Sequence, residues 1–197
     1  MVLCLGAITL GCSILLAGVY VLTETPIEAA AQAKTQTAIA AVAPEFETLE
    51  QAQSEDGLSY FKAFDADGNV VAYAVNASSV GFGGKLKLMV GFLPDGTIYN
   101  TAVLEHSETP GLGAKCTEDS FAGQFREFDP AVKKLEVKKD GGDVDAITAS
   151  TITSRAYCAA LRNAVDIFTA IAPAPVEEVA DTVVTNLENI EEGIVNE

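Results

Sequence analysis

The chain has 197 residues, enough for one ordinary domain and an appendage. Its 12 basic and 28 acidic residues give a formal net charge of −16. That excludes nucleic acid and anionic lipid headgroups as partners, because both demand a basic face. A membrane protein is not excluded, since the charge of a translocated domain says little about a span.

The four cysteines are Cys4, Cys12, Cys116 and Cys158. None forms a C-x-x-C pair, so neither a zinc site nor a disulfide framework is expected. Cys116 and Cys158 read as two separate thiols, with a bond between them as the alternative. The single histidine, His106, excludes a metal site that needs several imidazoles.

The first element is an uncharged apolar run, "VLCLGAITLGCSILLAGVYVL", from Val2 to Leu22. At ~1.5 Å per residue a helix of this length crosses the ~30 Å hydrocarbon core of a bilayer. A cleaved signal peptide needs a basic start and a shorter apolar stretch, and both are missing. A lipoprotein signal would use Cys12, but "TLGC" matches poorly. The run is therefore expected to be a retained transmembrane helix over residues 1–23, with Tyr20 at one interface. Local charge does not orient it, because the first basic residue is Lys34.

Residues 24–56 are rich in Ala and Gln. They are expected to form a helical connector, interrupted near Pro44 and followed by a short second helix. Leu58 to Phe64, "DADG" and "NVVAYAVNA" read as a β-hairpin. "GGKLKLMVGFLPDGTIYNTAVLEH" repeats the pattern around the turn "PDG". Four antiparallel strands follow from these two hairpins. "SFAGQFREF" reads as a short helix with Phe121 and Phe125 on one face. "LEVKKDGGDVDAIT" reads as a short strand and a turn. "TITSRAYCAALRNAVDIFTAIA" carries apolar residues at helical spacing. The tail, residues 173–197, is acidic and reads as an amphipathic helix or a frayed end. The expected class is α+β: a twisted antiparallel sheet with packed helices over residues 57–172, behind one span.

Three segments stand apart from this framework. "EHSETPGLGAK" is a stiff Pro- and Gly-containing loop, either a plain connection or a place where a ligand approaches backbone. "GFGGK" lacks P-loop spacing and enters a strand, so a flexible turn competes with a phosphate site. "DAITASTITSRA" opens a helix with five hydroxyls. Thr148 is a plausible N-cap, with Ser150 and Thr151 in the first turn. Unpaired N–H groups and the helix dipole would bind phosphate there. The competing reading is a redundant cap.

In this order, behind one span, "GFGGKLKLMVG", "EHSETPGLGAK" and "DAITASTITSRA" closely resemble the FMN-binding domain family. The resemblance is to the G subunit of the Rnf electron-transport complex and its relative, the C subunit of the sodium-pumping NADH:quinone oxidoreductase. The compactness of the chain favours the G type. The resemblance implies a covalent FMN. Its phosphate is joined to a threonine in the pattern [ST]-G-A-T-x-[ST]-S by a separate flavin transferase. Here that threonine is Thr151, and Ala149-Ser150 stands where Gly-Ala is usual. Thr148, Ser150, Thr153 and Ser154 would cradle the phosphate. Glu108, Thr109, Leu112 and Gly113 would wall the isoalloxazine, with Gly111 permitting close approach. Gly84 and Lys85 would border the pocket, and Lys139 would offset charge near it. Asp145 would serve transferase recognition. The chain would then relay electrons among other subunits of a complex that couples ferredoxin:NAD+ oxidoreduction to Na+ or H+ translocation, with no substrate of its own. It would sit in the cell (inner) membrane with the flavin domain on the extracytoplasmic side. A membrane-anchored, non-redox interaction module and a stand-alone flavoprotein are the competing readings.

Overall fold

The computed structural model describes residues 2–53 and 59–172. The acidic tail lies outside the described residues. Five strands, β1 (Thr48–Gln53), β2 (Ser59–Phe64), β3 (Val70–Val80), β4 (Lys85–Phe92) and β5 (Ile98–Glu105), form one sheet in the order β1-β2-β3-β4-β5, every pair antiparallel. The two expected hairpins are present. Asp65 closes the first turn by accepting from the Asp67 and Asn69 N–H groups at 3.0 and 2.8 Å. Gly96, at φ 90°, sits in the second, where a left-handed backbone favours glycine.

The fifth strand corrects the sequence reading. "TLEQAQ", expected as a second short helix, is edge strand β1, paired in register from Thr48↔Phe64 to Gln53↔Ser59. Ala, Gln and Glu favour helices, but the free edge of β2 offers backbone partners that a short isolated helix lacks. Leu49 packs beside buried Ala63, while Glu50 and Gln51 leave the sheet edge polar.

Both faces of the sheet are covered, and side-chain alternation sorts β3 and β4 between them. Tyr73, Val75, Ala77, Leu86, Leu88, Val90 and Phe92 face helix α3 (Thr151–Ile171) in the main core. Ala74 and Met89 face the opposite way, onto Ala38, Ile39 and Val42. In α3, Tyr157 is fully buried; its hydroxyl lies 2.7 Å from Thr101 Oγ1. Phe125 stacks on its ring at 5.0 Å and Phe121 meets it edge-on at 5.2 Å. Phe121 belongs to the one-turn helix α2 (Asp119–Ala122) and Phe125 to the 3-10 turn that follows. The short strand expected after residue 134 reduces to a single bridge, Val137↔Val144, around a 3-10 turn.

Helix α1 (Val2–Val42) is continuous for 41 residues, about 60 Å. It is long and apolar enough to cross a membrane. It does not stop where the apolar run ends; it continues past Pro26 and ends two residues before Pro44, so the connector is one helix with the span. Its last turns rest on the sheet. Burying Ile39 and Val42 contributes roughly 1.5–3 kcal/mol each. Asn100 Nδ2 donates to the Ala41 carbonyl at 2.8 Å, satisfying one of the orphan acceptors of the helix end. A Cβ on Gly91 would collide with the Val42 carbonyl. The missing side chain is what lets α1 lie this close to β4.

Gly91→Ala is expected to lower stability by about 1–3 kcal/mol, read as a fall in melting temperature of the detergent-solubilised chain. Unchanged melting would contradict the seating of α1. Cys116 and Cys158 are free, buried thiols, and burial pushes both up from 9.0 to about 11. Their raised folded-state pKa values give stability that is intact below pH 9 and is lost as pH rises toward 11, because unfolding lets the thiols ionise. Denaturant midpoints measured from about pH 8 to 11 should fall across that window.

Candidate flavin site

The three singled-out segments converge on one pocket. It has a volume of about 370 Å³ and is lined by Phe82 from the first, by Glu108, Thr109, Leu112 and Gly113 from the second, and by Ala149 to Thr153 from the third. This lies in the range, about 300–1,000 Å³, typical of small-molecule sites. A wider cleft of about 710 Å³ runs between residues 130–136 and Arg162–Asp166 and shares no residue with these segments.

Glu108 ties the pocket together. It is 6% exposed. One carboxylate oxygen accepts from the Gly83 N–H at 3.2 Å and the other from Thr153 Oγ1 at 2.7 Å. Its own N–H donates to His106 Nδ1 at 3.3 Å. Glycine is needed around it: a Cβ on Gly81 or Gly113 would strike the carboxylate, and one on Gly83 would strike the Ser107 carbonyl. The charge of Glu108 adds, after burial, to the upward push on the Cys116 thiol.

The hydroxyls divide into two groups. Ser154 is fully buried; its Oγ accepts from the Ile147 N–H at 2.9 Å and donates to the Ser150 carbonyl at 3.0 Å, closing the turn before α3. Thr153 is committed to Glu108. Neither offers its proton to a phosphate, contrary to the cradle implied by the resemblance. Thr148 precedes the helix by three residues and is exposed; the residue in the N-cap position is Ser150, which makes no side-chain capping bond. Thr151 is therefore the first helical residue. It is half-buried, it lines the pocket, and among the described residues its hydroxyl has no hydrogen-bond partner. The N–H groups of Thr151, Ile152 and Thr153 precede the first intrahelical bond, Ser154 N–H to Ser150 carbonyl at 3.1 Å, and so have no intrahelical acceptor, and all three residues line the pocket.

Ala149 has φ 62°, the left-handed region where an L side chain costs about 1 kcal/mol or more. The backbone thus reverses hand at Ala149, two residues before Thr151.

Besides Thr148 and Ser154, three residues expected at the site from the sequence, Gly84, Lys85 and Lys139, lie elsewhere, and Asp145, expected to serve transferase recognition, is outside the pocket. Gly84 closes the loop turn by accepting from the Gly81 N–H at 2.7 Å, and Lys85 is exposed at the start of β4. Neither lines the pocket. Lys139 is exposed in the turn Lys138–Asp140. Asp145 is exposed, pairs with Lys138 Nζ at 2.7 Å and holds Gln124 through its N–H at 2.9 Å. Gly111 is in the left-handed region at φ 76° and turns the chain after Pro110. Sequence reasoning missed Phe82. It is 70% exposed and, with Leu112 at 45% and Ile152 at 52%, forms an apolar rim around the pocket mouth. An aromatic set between glycines in a loop was the available signal.

A family model described as an FMN-binding domain matches residues 81–166, which hold the whole pocket. The chain is 38% identical to the G subunit of the ion-translocating oxidoreductase complex of Methanosarcina acetivorans, over 76% of this chain and 85% of that one. The chain belongs to this G-subunit family. The G subunit of the proton-translocating ferredoxin:NAD(+) oxidoreductase complex of Clostridium ljungdahlii is 34% identical, covering 78% of this chain and 82% of that relative. The solved C subunit of the Na(+)-translocating NADH-quinone reductase from Parabacteroides distasonis is similar at a TM-score of 0.49 and 21% identity, over 70% of this chain and 81% of that one.

The pocket of this G-subunit relative fits FMN. Free helix N–H groups suit a phosphate, and the Phe82, Leu112 and Ile152 rim suits a flat apolar ring. Ala149→Gly is expected to raise stability by about 0.5–1 kcal/mol, since relief of the left-handed strain exceeds the added chain entropy. Chemical denaturation checks this, and a lower midpoint would contradict the strained turn.

Proposed function

We propose that this chain is the FMN-carrying electron-relay subunit of a membrane complex that couples ferredoxin:NAD+ oxidoreduction to Na+ or H+ translocation. The FMN is held covalently through Thr151. The observation that carries the attachment is the state of the Thr151 hydroxyl. It is half-exposed, unbonded among the described residues and set in the pocket beside the free N–H groups of α3. Ser150, the neighbouring candidate, is buried at 8% exposure and so is poorly reached by an enzyme.

When bound, FMN supplies the one- and two-electron chemistry, and the protein supplies binding, orientation and electrostatics. In the attachment step, made by a flavin transferase, Thr151 Oγ forms a bond to the FMN-side phosphorus of FAD. The pyrophosphate bond breaks, AMP leaves, and the hydroxyl proton departs to solvent. The N–H groups of Thr151 to Thr153 and the α3 dipole would stabilise the one negative charge of a phosphodiester at this position. Phe82, Leu112 and Ile152 restrict water at the ring. Exposed Asp145 is in reach of the transferase, in keeping with a recognition role.

Helix α1 anchors the domain and continues without interruption to the sheet, where its last turns pack. The flavin domain lies on the extracytoplasmic side, where a covalent bond prevents loss of a cofactor that is not resupplied. The partners are the other membrane and peripheral subunits of the complex.

Co-expression with a flavin transferase should give a chain that fluoresces as a flavin on a denaturing gel. Thr151→Ala should abolish that fluorescence and Ser150→Ala should keep it. Equal fluorescence in Thr151→Ala sinks the attachment site, and a colourless wild-type chain sinks the flavoprotein reading.

A further inference from the structure

Among the described residues, Glu108 is the one acidic side chain lining the flavin pocket, and no Lys, Arg or His lines it. Four ion pairs are formed among the same residues, and none includes Glu108. Its two oxygens act as acceptors, one toward a backbone N–H and one toward a threonine hydroxyl. His106, the nearest titratable neighbour in sequence, accepts from the Glu108 N–H at Nδ1. The carboxylate is held by two dipoles and neutralised by no cation. Buried at 6% exposure, it is weakly screened by solvent.

We propose that Glu108 is a redox-tuning residue: a fixed, uncompensated negative charge in the pocket wall that lowers the reduction potential of the bound flavin. This rests on the functional reading above. An electron delivered by an iron–sulfur or flavin carrier of the same complex adds one negative charge to a ring in this pocket. A second electron adds another unless a proton accompanies it. No protein bond is made or broken. Repulsion from Glu108 acts on the reduced form and scarcely on the neutral oxidised ring, so it shifts the equilibrium toward oxidation.

A purely structural role is the competing account, because Glu108 also ties the loop at Gly83 to α3 at Thr153. Glu108→Gln separates the two. The amide oxygen can still accept from the Gly83 N–H, and the amide nitrogen can donate to Thr153 Oγ1, so the tie survives while the charge is removed.

The experiment is a dithionite titration of the full, flavin-loaded chain in detergent, followed by absorbance against a potential-indicating dye. In Glu108→Gln the one-electron reduction equilibrium should move at least about tenfold toward the reduced form, a positive shift of about 59 mV. An unchanged potential, or a negative shift, overturns the proposal. Should Glu108→Gln fail to fold, Glu108→Asp and Glu108→Asn provide the same comparison with a shorter side chain, the Asn variant being the more positive. Equal potentials in that pair also overturn it. A wild-type chain that carries no flavin refutes the functional reading instead, so the two failures are distinguishable.

Discussion

The 2.7 Å hydrogen bond from Thr153 to Glu108 joins the first turn of α3 to the loop after β5, and through the Gly83 N–H the same carboxylate reaches the loop between β3 and β4. These segments are far apart in sequence. Sheet pairing brings the two loops to one end of the β3–β4–β5 meander, and burial of α3 across β3 and β4 brings the helix start to the same end. The carboxylate then fixes their separation. An unpartnered charge at this depth would cost several kcal/mol, so the two donors and the glycines that make room for it form one unit. The pocket is the space left beside that unit.

Within α3 the hydroxyls are divided by depth. Ser154 and Thr153 face inward and are used up by Ile147, Ser150 and Glu108, which organise the turn and the pocket wall. Thr151 is one turn-edge further out and keeps its hydroxyl free. The left-handed residue Ala149 produces this arrangement, because reversing the backbone hand just before the helix rotates Thr151 into the pocket. A threonine-rich run therefore contains parts of a structural latch and one free hydroxyl. Helix α1 is put to a comparable double use: it is long and apolar enough to serve as a membrane span, and it covers the second face of the sheet. That dual role requires the bare backbone of Gly91 beneath its last turn.

Much of this was readable in the sequence. The span, the two hairpins, the aromatic pair Phe121 and Phe125, the long final helix and the three motif segments all follow from local period, turn chemistry and spacing. Local signals also misled. Thr48–Gln53 is composed of helix formers, yet the open edge of β2 makes it a strand. Thr148 looks like a cap, yet the turn stapled by Ser154 moves the helix start to Thr151. Gly84 and Lys85 look like the ligand-facing part of their loop, yet Phe82 is the residue at the pocket.

The sequence by itself determined the class of element at most positions and, through its resemblance to the FMN-binding family, singled out Thr151 among five hydroxyls. Both are properties of short windows, where residue type acts on its own neighbours. Only the tertiary structure decided which hydroxyls are engaged and which is free, that Glu108 is buried without a cation, and that Ala149 takes a left-handed backbone. Those depend on depth and on partners at sequence separations of 25 and 45 residues. Burial and hydrogen-bond pairing over such distances are set by how the sheet and α3 pack, which no local pattern encodes.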